Sequence, residues 1–364
     1  MKNKYVFVLV LLLSIMVISF GFTNIYVSHH QTVEDEDFVV VTSFYPMYIA
    51  GMNVVGDIDG VTLKNLSEPQ TGCLHDFQLT PADMKLLSTA DVFIINGGGI
   101  ESFIEEIAVQ YPDLKLIEAS EGIEFLCEED AHGHETHNEE AHDLYHEEDT
   151  EHVHDDNEHI EDTEHVHDDN EHVEDIEHVH DDNEHMEDAH NHDVNAHAWM
   201  SVELYRTQVE NIAKKLAEID PEHAESYLAN AGIYDRKLEE LQVEQEEVKV
   251  LTEGKNTIMF HCAFDYVAME YGMDVAFCMD LDEERQVSAG EVASVLKVID
   301  DEAVKYLFAE ELYGASMCEL VQKEADVKVI YLDPLNRGEY DADSYIRAMR
   351  NNIKLIRDAF TNGT

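Results

Sequence analysis

After an unbroken apolar run from Tyr5 to Phe22, short apolar stretches alternate with longer segments whose apolar positions recur every three or four residues. Phe38 to Thr42 and Val92 to Asn96 are continuous enough to be strands buried on both faces, and Val61 to Leu63 and Leu114 to Ile117 are shorter ones. Helical patterns lie between them, including Pro81 to Ser88, where Thr80 can cap and Pro81 takes a first-turn position. The second half repeats the alternation. Thr257 to Phe260, Val275 to Cys278, Tyr306 to Ala309 and Val327 to Leu332 are predicted strands, with helices near 263–271, 288–301, 313–325 and 341–360. Strands alternating with helices imply βαβ units, so the predicted fold class is α/β: two similar lobes, each a mostly parallel sheet with flanking helices.

Asp220 and Pro221 open a helical run that extends to about Leu251. Its apolar positions Tyr227, Ala231, Tyr234, Leu238, Leu241 and Val248 form one stripe. Such a helix is roughly 45 Å long, enough to join both lobes rigidly. The expected organisation is an N-terminal signal or anchor at 1–30, a first lobe at 31–127 completed by 194–219, an insertion at 128–193, the connecting helix at 220–252 and a second lobe at 253–364.

Charge changes the picture at the insertion. The chain has 80 Asp and Glu against 22 Lys and Arg, a net charge of −58, and half of it lies between Glu128 and Asp193, where 29 acidic residues and 16 histidines occur with no Lys or Arg. Phosphate binding needs a positive surface, so nucleic acid and anionic lipid are poor partners, while cations are compatible ones. A 13-residue repeat runs through the segment at 151–163, 164–176 and 177–189. With so few apolar groups it cannot offset the entropy of ordering its backbone, and it is expected to be disordered without metal. Its H-x-H steps (His152 and His154, His165 and His167, His178 and His180) place pairs of imidazoles that suit borderline metals such as zinc. The expectation is an accessory reservoir of many weak sites; the plain alternative is a solvated acidic linker whose histidines do nothing.

Lys2 and Lys4 before the apolar run, and the polarity after it, are those of an export signal. Its 18 residues are also just enough to span a bilayer, so an uncleaved membrane anchor competes with cleavage. The first cysteine is Cys73, which leaves no Cys near the end of the run for lipid attachment. Cys73, Cys127, Cys262, Cys278 and Cys318 occur singly, without a CxxC pair, and most are expected to be small buried hydrophobes. An exported chain can form a disulfide here, but spacing does not choose the pair.

Four residues outside the insertion sit where loops meet helices or strands end, which is where open α/β sheets place ligands. His75 lies in TGCLHDFQLTPAD, His197 in NAHAWMS, His261 directly after the strand ending at Phe260, and Asp333 directly after the strand ending at Leu332. Three neutral imidazoles and one carboxylate match a borderline divalent ion, zinc above all, whereas manganese prefers more oxygen. Each residue also has a bland reading: a lone His beside a strand is often only hydrogen-bonded, and an Asp before Pro is often a turn former.

At these residues the chain resembles the metal-binding, extracytoplasmic substrate-binding proteins of zinc and manganese ABC transporters, the ZnuA/TroA-like family. The segments that carry the resemblance are VTSFYPMYIAG at 41–51, HDFQLTPADMKLLSTADVFIINGGGIESF at 75–103, NAHAWMS at 195–201, MFHCAFDYVAMEYG at 259–272, FAEELYG at 308–314 and YLDPL at 331–335, within about 38–360. The resemblance implies two α/β lobes joined by a rigid helix, a metal in the cleft held by His75, His197, His261 and Asp333, and delivery to an ABC permease and its ATPase by a monomer in the cell envelope. His261 at the third ligand position implies zinc (Zn2+), where manganese (Mn2+) or iron members commonly have Glu. The chain departs from many relatives in lacking a lipidation Cys and in the length of its insertion.

Three functions compete. The first is a zinc-capturing transport protein, with manganese or iron as the variant metal. The second is a zinc hydrolase, for which Glu310 or Glu311 is the nominal base, although Asp333 as fourth ligand would close the open position an enzyme needs. The third is an extracellular zinc buffer or adhesin dominated by the insertion.

Overall fold

The computed structural model describes residues 37–68, 71, 77–127, 194–281 and 286–361. The apolar N-terminal run, His75, and the insertion with His152, His154, His165, His167, His178 and His180 lie outside the described residues.

Two four-stranded parallel sheets organise the chain. The first uses β1 (Phe38–Thr42), β2 (Val61–Asn65), β3 (Val92–Ile95) and β4 (Lys115–Glu118) in the order β2-β1-β3-β4. The second uses β7 (Asn256–Phe260), β8 (Asp274–Cys278), β9 (Tyr306–Ala309) and β10 (Lys328–Tyr331) in the order β8-β7-β9-β10. Each lobe therefore places its second strand outside its first and then steps to the third and fourth. All pairings within the two sheets are parallel, and the central strands are apolar except at Thr42, Asn256 and Thr257 because helices cover both faces. Val92–Ile95 is wholly buried.

The helices of the first lobe are α1 (Tyr45–Val55), α2 (Pro81–Leu87), α3 (Ile104–Gln110) and α4 (Val202–Ile219). Thr80 and Asp83 cap α2 reciprocally, the local reason that it starts at Pro81. Helix α4 returns to the first sheet after the insertion. Gln208 donates to Asn96 Oδ1 and Ser120 Oγ, both at 2.8 Å, and Asn211 donates to the carbonyl of Ala119 at 2.9 Å. Between the lobes runs α5 (Ala224–Thr252), 29 residues long. It buries every position of the expected stripe and adds Gln245 and Thr252. Its start follows Asp220, whose Oδ2 accepts from Tyr227 Oη at 2.8 Å and lies 2.7 Å from His223 Nδ1. The second lobe adds α6 (Asp265–Tyr271), α7 (Ala289–Asp301), α8 (Glu311–Glu324) and the C-terminal α9 (Ser344–Thr361). Among the described residues no helix is long and apolar enough to cross a membrane.

One core spans both lobes through α5, and polar contacts bind them further. Tyr45 Oη donates to Ser344 Oγ at 2.9 Å, Asn53 donates to the carbonyl of Ala342 at 2.8 Å, and the rings of Tyr205 and Tyr345 stack 3.8 Å apart. These contacts join the two lobes directly, beside the long helix.

A two-residue antiparallel ladder, β5 (Leu126–Cys127) with β6 (Val194–Asn195), was not predictable from periodicity. It brings together the two chain ends that flank residues 128–193.

At the C-terminal end of β3 the turn Gly97 to Gly99 takes positive φ at all three glycines, and a side chain at Gly97 would run into Glu118. The turn folds Glu101 back, buried, to accept from the backbone N–H of Asn96 at 2.7 Å, from that of Gly97 at 3.1 Å and from Ser43 Oγ at 2.8 Å. Burial outweighs these three donors and pushes the Glu101 carboxyl up to about 7. A carboxyl raised in the folded state holds its proton longer there than in the unfolded chain. Its stabilising contribution is complete below the usual carboxylate range and is lost as pH rises through about 7. Glu101→Gln is expected to flatten the fall in stability between pH 5 and 8, as followed by urea unfolding; an unchanged slope would remove Glu101 as its source.

Candidate metal centre

His197 follows β6 and precedes a single 3-10 turn (Ala198–Met200), after which Ser201 caps α4 by accepting from Leu204 N–H at 3.2 Å. Its side chain is fully buried. Asn195 Oδ1 accepts the backbone N–H of His197 at 3.2 Å and lies 2.9 Å from Nδ1 of the same residue. The amide's orientation is set from its other end, because Asn195 Nδ2 donates to the carbonyl of Cys262 at 2.7 Å and faces Asp265 Oδ2 at 3.4 Å. An oxygen therefore faces His197, Nδ1 carries the proton, and the lone pair is on Nε2. That is the arrangement in which an imidazole coordinates a metal while its second nitrogen is held by an acceptor.

His261 directly follows β7, Glu310 directly follows β9, and Asp333 comes two residues after β10. Because these strands are parallel neighbours in the order β7-β9-β10, all three side chains start from one end of the second sheet. His261 is fully buried and its ring centroid is 5.2 Å from that of His197, the planes at 85°. Nδ1 of His261 is 3.5 Å from Glu310 Oε2, and Glu310 Oε1 is paired with Arg337 Nη2 at 3.2 Å. The pair leaves Glu310 a charge-compensated neighbour of the histidine, a role quite different from a hydrolytic base.

Asp333 is locked at its backbone, donating N–H to Asn352 Oδ1 at 3.0 Å while its carbonyl accepts from Asn352 Nδ2 at 2.8 Å. Its Oδ1 accepts from Leu335 N–H at 2.8 Å. Burial raises the Asp333 carboxyl and Glu310 adds to the rise by repulsion, while the Leu335 N–H and Arg337 oppose it. A divalent cation beside it would favour the ionised form and reverse that rise.

Among the described residues the tightest donor group is His197, His261 and Cys262, whose ligand atoms lie within 4.8 Å of one another. Asp333 is outside that group, and His75 lies on the undescribed stretch between β2 and α2, so the structure brings together two of the four residues expected from sequence. Cys262, expected only as a small buried hydrophobe, lies with Sγ 3.6 Å from His197 Nδ1 and 3.3 Å from Asp280 Oδ2. Burial first, and then Asp280, push its thiol well above the ordinary range. Sγ faces the nitrogen that carries the proton, so Cys262 buttresses the imidazole on its Nδ1 side. Cys262, Cys278 and Cys318 form no disulfide. Sequence reasoning missed Asn195 and Arg337 altogether; the only traces were the two-residue spacing of Asn195 from His197 and the position of Glu310 at a strand end.

Comparison with known proteins gives the family and the fold. Residues 40–359 match the family described as zinc-uptake complex component A, periplasmic (ZnuA). The zinc-binding protein AdcA of Streptococcus pyogenes serotype M3 is 28% identical over 333 residues, covering 90% of this chain and 57% of AdcA, so the chain spans little more than half the length of that relative. The high-affinity zinc uptake system protein ZnuA of Bacillus subtilis is 26% identical over 88% of this chain and 86% of its own length. Among solved structures, the SBP FpvC from Pseudomonas aeruginosa in complex with Ni2+ superposes with a TM-score of 0.65 at 20% identity, covering 90% of this chain and 98% of FpvC, which establishes the shared fold. Family and fold are those of solute-binding proteins, and the hydrolase alternative falls with them. With 320 of its 364 residues inside the match, the chain belongs to the family of the periplasmic component A of zinc-uptake complexes.

Proposed function

We propose that the protein captures a divalent metal ion, zinc in the first place, at the extracytoplasmic face of a membrane and delivers it to an ABC permease driven by its ATPase. The ion would be held by His75, His197, His261 and Asp333. The observation that carries this reading is the pair of buried imidazoles from the two lobes, 5.2 Å apart, with His197 presenting Nε2. Zinc is favoured over manganese by the donor set, since imidazole suits a borderline ion and only one carboxylate joins it. The zinc relatives AdcA and ZnuA support the same choice. The apolar N-terminal run would export the chain or retain it at the membrane, and the histidine-rich segment would be a low-affinity collector.

The test is titration of zinc and manganese into the whole chain and into a chain lacking 128–193. The shortened chain is expected to keep one tightly bound zinc, to bind manganese more weakly, and to lose only the loosely held ions. If tight binding disappears with the segment, the zinc buffer or adhesin reading takes over; tighter manganese binding would reassign the metal.

A further inference from the structure

We infer that Asn195 is a positioning residue that couples the two metal-binding imidazoles across the lobes, holding His197 in its metal-ready tautomer with one end of its amide and the His261 segment with the other. The inference rests on the cleft-binding reading above. Asn195 is buried and closes the two-residue strand β6. Its side-chain oxygen takes both the backbone N–H and the Nδ1 proton of His197. Its side-chain nitrogen donates to the carbonyl of Cys262, the residue after His261, and faces Asp265 at the start of α6. Its backbone carbonyl accepts from Tyr266 Oη at 2.6 Å, and that hydroxyl accepts from Leu126 N–H on β5 at 3.2 Å. One residue thus ties the ladder at the base of the insertion, the first-lobe histidine and the segment just after the second-lobe histidine into a single hydrogen-bonded unit.

The two ends of the amide do separable work. The oxygen sets where the His197 lone pair points, which bears on metal affinity. The nitrogen holds the lobes together, which bears on stability. A carboxylate at this position keeps an acceptor for His197 but meets the Cys262 carbonyl and Asp265 with like polarity.

The test measures zinc affinity of the full chain by competition with a chelator strong enough to strip loosely held metal, beside the Tm of the metal-free protein. Asn195→Ala is expected to weaken the tight site about 10- to 100-fold, in the range for lost outer-shell partners. Asn195→Asp is expected to lower Tm while keeping affinity within about fivefold of the parent, since an acceptor partner of the imidazole survives. Asn195→Leu, close in volume and without an acceptor, should match alanine in affinity and decides the matter if the alanine variant does not fold. Binding by a folded alanine or leucine variant within about twofold of the parent would overturn the inference, as would an aspartate variant as weak as they are. If His261→Ala also retained the tight zinc, the cleft reading itself would fall.

Discussion

Replacing His261 by alanine is expected to weaken the tight zinc site by two to three orders of magnitude while leaving the fold intact. Zinc held by four protein ligands has an apparent binding free energy on the order of 10–16 kcal/mol, or about 2.5–4 kcal/mol per ligand, and each 1.4 kcal/mol is tenfold in affinity. The imidazole is fully buried at the end of β7, away from the bulk water that could take its place as a ligand. His197→Ala should have an effect of the same size, and replacing His152, His165 and His178 together should leave the tight site unchanged. Chelator competition on the folded variants checks this. Equal losses from the cleft and repeat substitutions would contradict a cleft site.

Trp199→Ala should be the most destabilising single substitution near the site, costing about 3–5 kcal/mol for lost burial and the cavity together. The indole is fully buried, packs edge-on to Phe44 at 5.1 Å and lies 4.9 Å from the ring of His197. Its Nε1 donates to the carbonyl of Pro334 at 2.9 Å, and its own carbonyl accepts from Tyr345 Oη at 2.8 Å. Pro334 follows Asp333, so the substitution also removes a strut from beneath the carboxylate. Urea unfolding of the metal-free protein should show the loss, and zinc affinity should fall with it. A loss below about 1 kcal/mol would mean that the cavity collapses and that the indole is not the strut described.

Much of this fold is legible along the chain because parallel strands are apolar on both faces and announce themselves without reference to anything distant. The expected strands at Phe38, Val92, Thr257 and Tyr306 lie within a residue of those observed, and the stripe on α5 coincides with its buried face. Helix α1 is harder to single out. Its first half is buried almost all round, from Tyr45 to Gly51, so it has little polar face to reveal a period. The ladder of β5 with β6 has no local pattern at all, since its partners are separated by the insertion and each strand is only two residues long.

At the site, His197 and His261 could be nominated because strand ends are where such sheets present ligands. Asn195 could not, since an amide offers both a donor and an acceptor and only its neighbours decide which end faces the histidine. Glu310 was visible at a strand end, but its pairing with Arg337 depends on a loop folding back onto the sheet. Cys262 has the composition of a core residue and becomes a neighbour of His197 only through the approach of the two lobes.

The ladder of Leu126–Cys127 with Val194–Asn195 pins the 66 residues between them at a common base. Closing a flexible loop costs entropy only as the logarithm of its length, so adding or losing one 13-residue repeat alters that term by about 0.2 kcal/mol. A change of one repeat therefore carries almost no thermodynamic penalty for the lobes that the ladder joins. The number of repeats is thus thermodynamically decoupled from the packing that holds His197 and His261 together.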